Sequence, residues 1–217
     1  MMTFDIKHQE SYSRGELLLR TFFGMFYIMI PHGILLWLLS IGLMVIQFLS
    51  FWILLFTGKW NKGFFDYIVK YNRYTLRVQS RLMNLADGYP EFGLNGSDTQ
   101  TSYDVKYQEE VNRGSVLVRF FFGFFYVLIP HGIALMFMMI GVYFCTFIAF
   151  WSILFTGNYP KGMFDFVVKT LRWAQRVGNY MTFLTHEYPK FTGDVLPGEN
   201  ENVSADSSSS DDEILDA

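Results

Sequence analysis

Two histidines, His32 and His131, sit in identical Pro31-His32-Gly33 and Pro130-His131-Gly132 triplets inside long apolar runs. They are the only side chains in those runs that titrate near neutral pH. Two imidazoles at equivalent positions could hold a haem iron or another metal as a pair, or pass protons. No Cys or carboxylate accompanies either one, which weakens a metal site, and no cofactor is expected. The simpler reading puts each triplet at the tip of a helix reversal, where the imidazole meets water or caps a carbonyl. A second set comprises Asp66, Lys70, Arg73, Arg77 and Arg81, repeated as Asp165, Lys169, Arg172 and Arg176. At 100° per residue these fall in one stripe ~80° wide on a helix. No glycine-rich phosphate loop accompanies the stripe, so it reads as a basic face resting on lipid headgroups, together with Arg14, Arg20, Arg113 and Arg119. Asp66 and Asp165 precede a Lys by four residues and read as ion-pair partners, not catalytic acids. Neither a nucleophile–base pair nor a metal-ligand cluster is visible, so no enzyme is expected.

The elements that carry these residues are apolar helices. Neither Thr21–Gly58 nor Phe120–Gly157 contains an Asp, Glu, Lys or Arg. A water-soluble domain does not contain such stretches, and the chain reads as an integral membrane protein. Leu17–Ile30 would span roughly 21 Å as a helix, short of a ~30 Å hydrocarbon core, whereas Gly33–Phe56 is long enough to cross. Proline removes a backbone donor and glycine permits a positive φ, so the triplet can reverse the chain. All 17 Lys and Arg lie outside the two apolar stretches. A hairpin in each repeat places them all on one side, as the positive-inside rule expects; a single crossing in each would leave no bias. The expected fold is therefore an all-α membrane protein of two tandem repeats. Each repeat is a kinked transmembrane hairpin followed by an interfacial amphipathic helix over Lys62–Ala86 or its copy. Thr57-Gly58 ends the first span, and Gly24, Gly42, Gly123 and Gly141 mark close helix packing. Residues 4–13 suit a short strand or an irregular lead-in equally.

Composition agrees. Aromatics are 19% of the chain, with 24 Phe. The net charge of −3 hides an asymmetry, because eight acids and no Lys or Arg follow Lys190 and the preceding body is at +5. A basic body beside an apolar run points to anionic lipid and not to nucleic acid. The one cysteine, Cys145, lies in the second apolar run and excludes an intrachain disulfide. Met1–Glu16 is polar and lacks a cleavable signal pattern. The tail from residue 193 on, rich in Ser, Asp and Glu, is expected to be disordered.

Adding 99 to each residue number carries 4–92 onto 103–191 without a gap. Arg14-Gly15, Arg20, Gly24, Tyr27, Phe51-Trp52, Phe56-Thr57-Gly58, Lys62-Gly63, Arg77-Val78 and Tyr89-Pro90 all recur. The repeats occupy 1–93 and 103–192, with a loop-like linker at 94–102. At Phe155-Thr156-Gly157-Asn158-Tyr159-Pro160-Lys161-Gly162-Met163-Phe164-Asp165-Phe166, Leu171-Arg172-Trp173, Arg176-Val177, Tyr180 and Tyr188-Pro189-Lys190-Phe191, with the upstream Ile-Pro-His, the chain resembles a bacterial membrane family. That family is known as domain of unknown function 4389. The first repeat departs at Trp60-Asn61, where the second has Tyr159-Pro160. The resemblance implies the architecture and no activity. The expected function is that of a non-catalytic accessory, assembly or scaffold subunit of a membrane complex, or a lipid-organising protein. A transporter or channel subunit and a bis-histidine redox subunit are the alternatives. The expected place is the cell (inner) membrane, multi-pass, with both termini cytoplasmic. The expected partners are anionic lipids and either other membrane subunits or further copies of the chain.

Overall fold

The computed structural model describes residues 1–199. Among them are four helices and one two-stranded ribbon in two similar repeats. Helix α1 runs Arg14–Thr57, α2 Lys62–Leu82, α3 Arg113–Thr156 and α4 Lys161–Met181; strand β1 is Met2–Ile6 and β2 Thr101–Val105. The long helices α1 and α3 have 44 residues each and are long and apolar enough to cross a membrane by length and composition. Their starts are set by Ser13 and Asn112, whose side chains accept backbone N–H groups of the first turn. Their ends are set by Gly58 and Gly157 in the left-handed region, φ 70° and 78°, as the sequence suggested.

The hairpins expected at the Pro-His-Gly triplets do not form. The chain stays helical through Pro31-His32-Gly33 and Pro130-His131-Gly132, and neither Gly33 nor Gly132 has a positive φ. The prolines are accommodated by widening the helix ahead of them. Met25–Met29 and Phe124–Leu128 are π-helical, and the Ile30 N–H bonds back to the Met25 carbonyl. The wide turn moves carbonyls out of the way of the pyrrolidine ring, so a proline that would otherwise break the helix leaves it continuous.

Helix α2 folds back antiparallel along α1. Tyr67 Oη donates to the Leu39 carbonyl (2.8 Å), Tyr74 meets His32, and Arg20 Nε donates to Asn84 Oδ1 (3.1 Å). Close approach is needed at Gly42 and Gly141, where an added Cβ would lie 2.7 Å from Tyr67 Oη and 2.9 Å from Phe166 Cζ. That agrees with the close-packing role read from the sequence.

The chain is not all-α. β1 and β2 pair antiparallel with Phe4 opposite Tyr103. One face of this ribbon is buried (Met2, Phe4, Ile6, Thr101, Tyr103, Val105) against both α2 and α4. The strands are exchanged, since β2 packs on α2 of the first repeat and β1 on α4 of the second. Arg73 Nε donates to the Tyr103 carbonyl (2.9 Å) and Arg172 Nε to the Phe4 carbonyl (3.0 Å). Beneath the ribbon, Tyr103 Oη donates to Asn179 Oδ1 (2.7 Å) and accepts from Asn72 and Gln175. Burial pushes the Tyr103 phenol up to about 12, so it stays neutral and serves as a fixed donor. The molecule is thus layered as long helices, then α2 and α4, then the ribbon.

The linker is packed, not a tether. Asp98 makes a bidentate pair with Arg81 (2.6 and 2.9 Å) and accepts from Thr101 Oγ1 and the Gln100 N–H. The first residues of the expected tail are also docked: Arg176 binds the Thr192 and Asp194 carbonyls and the Glu199 carboxylate. The serine run and Asp211–Leu215 lie outside the described residues.

The two repeats clasp each other at the helix ends. Arg14 Nη2 donates to the Phe155 carbonyl and Arg113 Nη2 to the Thr57 carbonyl, both 3.1 Å. Tyr12 N–H donates to Gly157 O and Val111 N–H to Gly58 O. A cation at a helix C-terminus is favoured by the macrodipole, and each of these arginines is exposed. Replacing Arg14 or Arg113 by Ala is therefore expected to cost only about 0.5–1 kcal/mol, read by thermal unfolding in detergent. Asp98→Ala is expected to cost more, about 3–5 kcal/mol, because it strands the buried Arg81. Burial raises the Asp98 pKa, but the bonds from Arg81, Thr101 and the Gln100 amide outweigh it and hold the carboxyl below its ordinary 3.8. Its contribution is complete above that value and is lost as pH falls through the lower folded one. Acid titration of the wild type should show this loss, and Asp98→Asn should not.

Candidate functional site

The histidines occupy two separate aromatic cages, each built from its own repeat. In the second, Trp173 Nε1 donates to His131 Nδ1 (3.0 Å). An indole N–H can only donate, so Nδ1 is unprotonated and Nε2 carries the hydrogen. Nε2 then donates to Tyr188 Oη (3.2 Å), whose own hydrogen goes to the Tyr126 carbonyl (2.9 Å). Phe191 stacks on the imidazole at 3.8 Å. Both ring nitrogens are committed, and His131 is wholly buried. In the first repeat His32 Nδ1 pairs with Tyr74 Oη (2.6 Å), Phe92 stacks at 4.0 Å, and Tyr89 Oη donates to the Tyr27 carbonyl (3.0 Å). His32 Nε2 is buried with no protein partner.

The carbonyls of Tyr27 and Tyr126 explain the motif. In an uninterrupted α-helix the N–H of residue 31 would bond residue 27, and that of 130 would bond 126. Proline has no N–H, so both carbonyls are freed, and in both repeats a tyrosine hydroxyl takes the vacant place. The Pro-His-Gly and Tyr-Pro elements are two halves of one packing device. The histidines are not brought together: His32 packs in the cluster around Ile28 and Tyr74, His131 in that around Val127 and Trp173. A shared bis-histidine ligand is not what this arrangement offers. Among the described residues no group of three or more His, Cys, Asp or Glu could hold a metal ion.

Arg77, Arg81, Arg172 and Arg176 of the basic stripe face inward, where the sequence reading had the stripe facing headgroups. Arg20, Arg77, Arg119, Arg172 and Arg176 are buried. Arg119 donates to the carbonyls of Tyr180, Thr185 and His186 and lies 3.8 Å over the Tyr180 ring. Arg77 donates to the Gly93 carbonyl (2.5 Å). Burial lowers the pKa of Arg77 and Arg172 from the usual guanidinium value. Lys70, Arg73 and Lys169 reach the surface but are engaged with Asn95, Asp104 and Asp194. Asp66 and Asp165 pair with Lys62 and Lys161, four residues before them, and not with Lys70 and Lys169. The stripe is one side of an interior whose other side is loop carbonyls and strands, so its charges hold the second layer to the first.

Sequence reasoning missed Tyr74, Tyr89, Phe92 and their counterparts Trp173, Tyr188 and Phe191. The recurrence of Tyr89-Pro90 as Tyr188-Pro189 carried the signal, but nothing local pairs it with a triplet nearly 60 residues earlier. Tyr89→Phe orphans a carbonyl and is expected to cost about 1–2 kcal/mol. Pro31→Ala restores the missing N–H and makes that hydroxyl redundant. The Pro31→Ala/Tyr89→Phe double variant should then be more stable than the sum of the two single effects, measured as a double-mutant cycle in detergent unfolding.

A family model described as domain of unknown function (DUF4389) matches residues 16–93 and again 113–193. No curated protein and no solved structure matches the chain.

Proposed function

The chain belongs to the DUF4389 family, and from that premise we propose that it is a non-catalytic membrane-embedded protein that organises lipid or scaffolds a membrane complex. The observation that carries this reading is the outer face of α1 and α3. Phe22, Phe26, Trp37, Met44, Phe48 and Phe56 on α1, with a matching series on α3, are each more than half exposed to the surroundings. Between Phe22 and Phe56, and between Phe120 and Phe155, every exposed side chain on these helices is apolar or aromatic, with only glycines interspersed. Single exposed apolar residues are ordinary on soluble proteins, but a face this long is not.

The polar residues support a structural role. The buried arginines satisfy loop and strand carbonyls, and His131 is closed off by its hydrogen bonds. These groups hold the fold. The net-positive body favours anionic lipid as the immediate partner, with other membrane subunits or further copies of the chain beside it.

Fractionation tests the reading. The tagged full chain is expected to stay with membranes through high salt and alkaline carbonate and to leave only with detergent. Recovery in the soluble fraction would overturn it. Mass spectrometry of the mild-detergent eluate then separates the two forms of the proposal: a stoichiometric subunit indicates scaffolding, co-purified anionic lipid alone indicates lipid organisation.

A further inference from the structure

We infer that the two long helices lie flat in one leaflet, with the ribbon layer in the water above them, and do not cross the bilayer. This rests on the membrane reading above and adds the orientation, the occupant of the outer face being the acyl chains of a single leaflet.

The inner face of α1 packs on protein from end to end, fully buried toward the two ends and half-buried at Leu35, Leu39, Leu43 and Ile46 between them. Leu17, Ile28, His32 and Leu54 are all fully buried, a stripe of roughly 55 Å at the helical rise. What covers it is not apolar throughout. Tyr67 sits at Leu39 and Tyr74 at His32, so Lys70 and Arg73 lie over the middle of α1. Their side chains are engaged with Asn95 and with Asp104, itself more than half exposed, at the molecular surface. The second repeat repeats this with Lys169 on α4, which packs along α3 and pairs through Lys169 with Asp194 in the segment after the helix. A helix standing upright through the bilayer would carry these charged, solvated groups to the centre of the hydrocarbon, where they are least tolerated. Laid flat, the same helix keeps every one of them on the water side.

The two outer faces point the same way. The buried face of the ribbon covers both α2 and α4, and these pack on α1 and α3, so all the polar layers are on one side of the long-helix pair. The opposite side is apolar. Taking ~150–250 Å² for a large side chain and about half of it exposed, that side amounts to on the order of 4,000 Å². A standard protein–protein interface takes ~800 Å² from each partner, so a second copy of the chain would have to bury several times the usual area. At ~66 Å, each helix is also about twice the thickness of a hydrocarbon core. A monolayer of acyl chains fits both the length and the uniform chemistry of the surface.

The test uses the full chain with Cys145→Ser, inserted into vesicles of phosphatidylcholine and phosphatidylglycerol. Nitroxides are attached singly at Leu18→Cys, Ile34→Cys and Phe48→Cys on the outer face, and depth is read from collision with oxygen against a polar nickel chelate. An impermeant maleimide is applied from outside to Ser11→Cys and Asn61→Cys, beyond the two ends of α1. The expected result is one common depth, ~5–10 Å below the headgroups, for all three nitroxides, with both end cysteines labelled. An Ile34 label far deeper than the other two, or only one end labelled, would overturn the flat orientation and leave the membrane reading standing. Failure to float with vesicles, with a dimer in solution instead, would overturn both.

Discussion

Two backbone carbonyls, those of Tyr27 and Tyr126, set the terms for the rest of the molecule. Each belongs to a helix whose outer face is apolar, and each loses its partner to the proline four residues on. A carbonyl left bare in such surroundings is costly, so a donor has to be brought to it. The donors are the hydroxyls of Tyr89 and Tyr188, which lie in the loops after α2 and α4. For those loops to arrive, each amphipathic helix must run back along its long helix for about its full length. The antiparallel pairing, the inward arginines and the closed histidine cages are consequences of that return.

The two repeats solve the same local problems with different atoms, which separates what the backbone demands from what the side chains happened to become. Arg20 and Arg119 are equivalent and both buried. Arg20 is met by side chains, with Asn84 Oδ1 at 3.1 Å and Asp87 Oδ1 at 2.7 Å, as well as the Ala86 carbonyl. Arg119 is met by three carbonyls and a tyrosine ring. The partner positions changed from Asn84 and Asp87 to Phe183 and His186, and the guanidinium stayed. Position 81 shows the reverse. There Arg81 pairs with Asp98, while its counterpart Tyr180 shares a hydroxyl contact with Tyr126 and has no ion pair. The buried cation near the start of each long helix is a requirement of the fold, and the pair beside the linker belongs to one repeat alone.

Much of this was legible in the sequence, and the failures have one physical origin. The duplication, the helix ends at Gly58 and Gly157, the amphipathic stretch after them and the small residues at Gly42 and Gly141 were read from residue type and spacing. Hydropathy cannot tell an apolar residue facing protein from one facing lipid, so Ile28 and Phe26 looked alike although one is buried and the other exposed. With both faces reading as lipid, a helix of this length had to be broken to fit a bilayer, and the Pro-His-Gly triplets offered the break. The stripe of arginines failed for a related reason. Charge on one face of a helix ordinarily means solvent, and only the exchanged strands and post-helix loops, distant in sequence, supply the carbonyls that turn it inward. The ribbon itself hid in ten residues that could be strand or coil until a partner was specified.

Exchange of the strands also explains why the repeats are read best as one unit. Separated, the first would keep α1 and α2 but lose the strand that covers α2, the guanidinium that caps the Thr57 carbonyl, and the Val111 amide that bonds Gly58. The second would lose the matching set, with Arg14, Tyr12 and β1 gone from around Phe155 and Gly157. Each half supplies what the other lacks at both ends of a pseudo-two-fold arrangement whose centre is the Phe4–Tyr103 pair. A two-stranded ribbon is marginal alone, and here it persists because Arg73 and Arg172 anchor its carbonyls from two different helices. The ribbon therefore acts as a tie across the top of the molecule, fixing α2 relative to α4 and, through them, the relative facing of the two long helices.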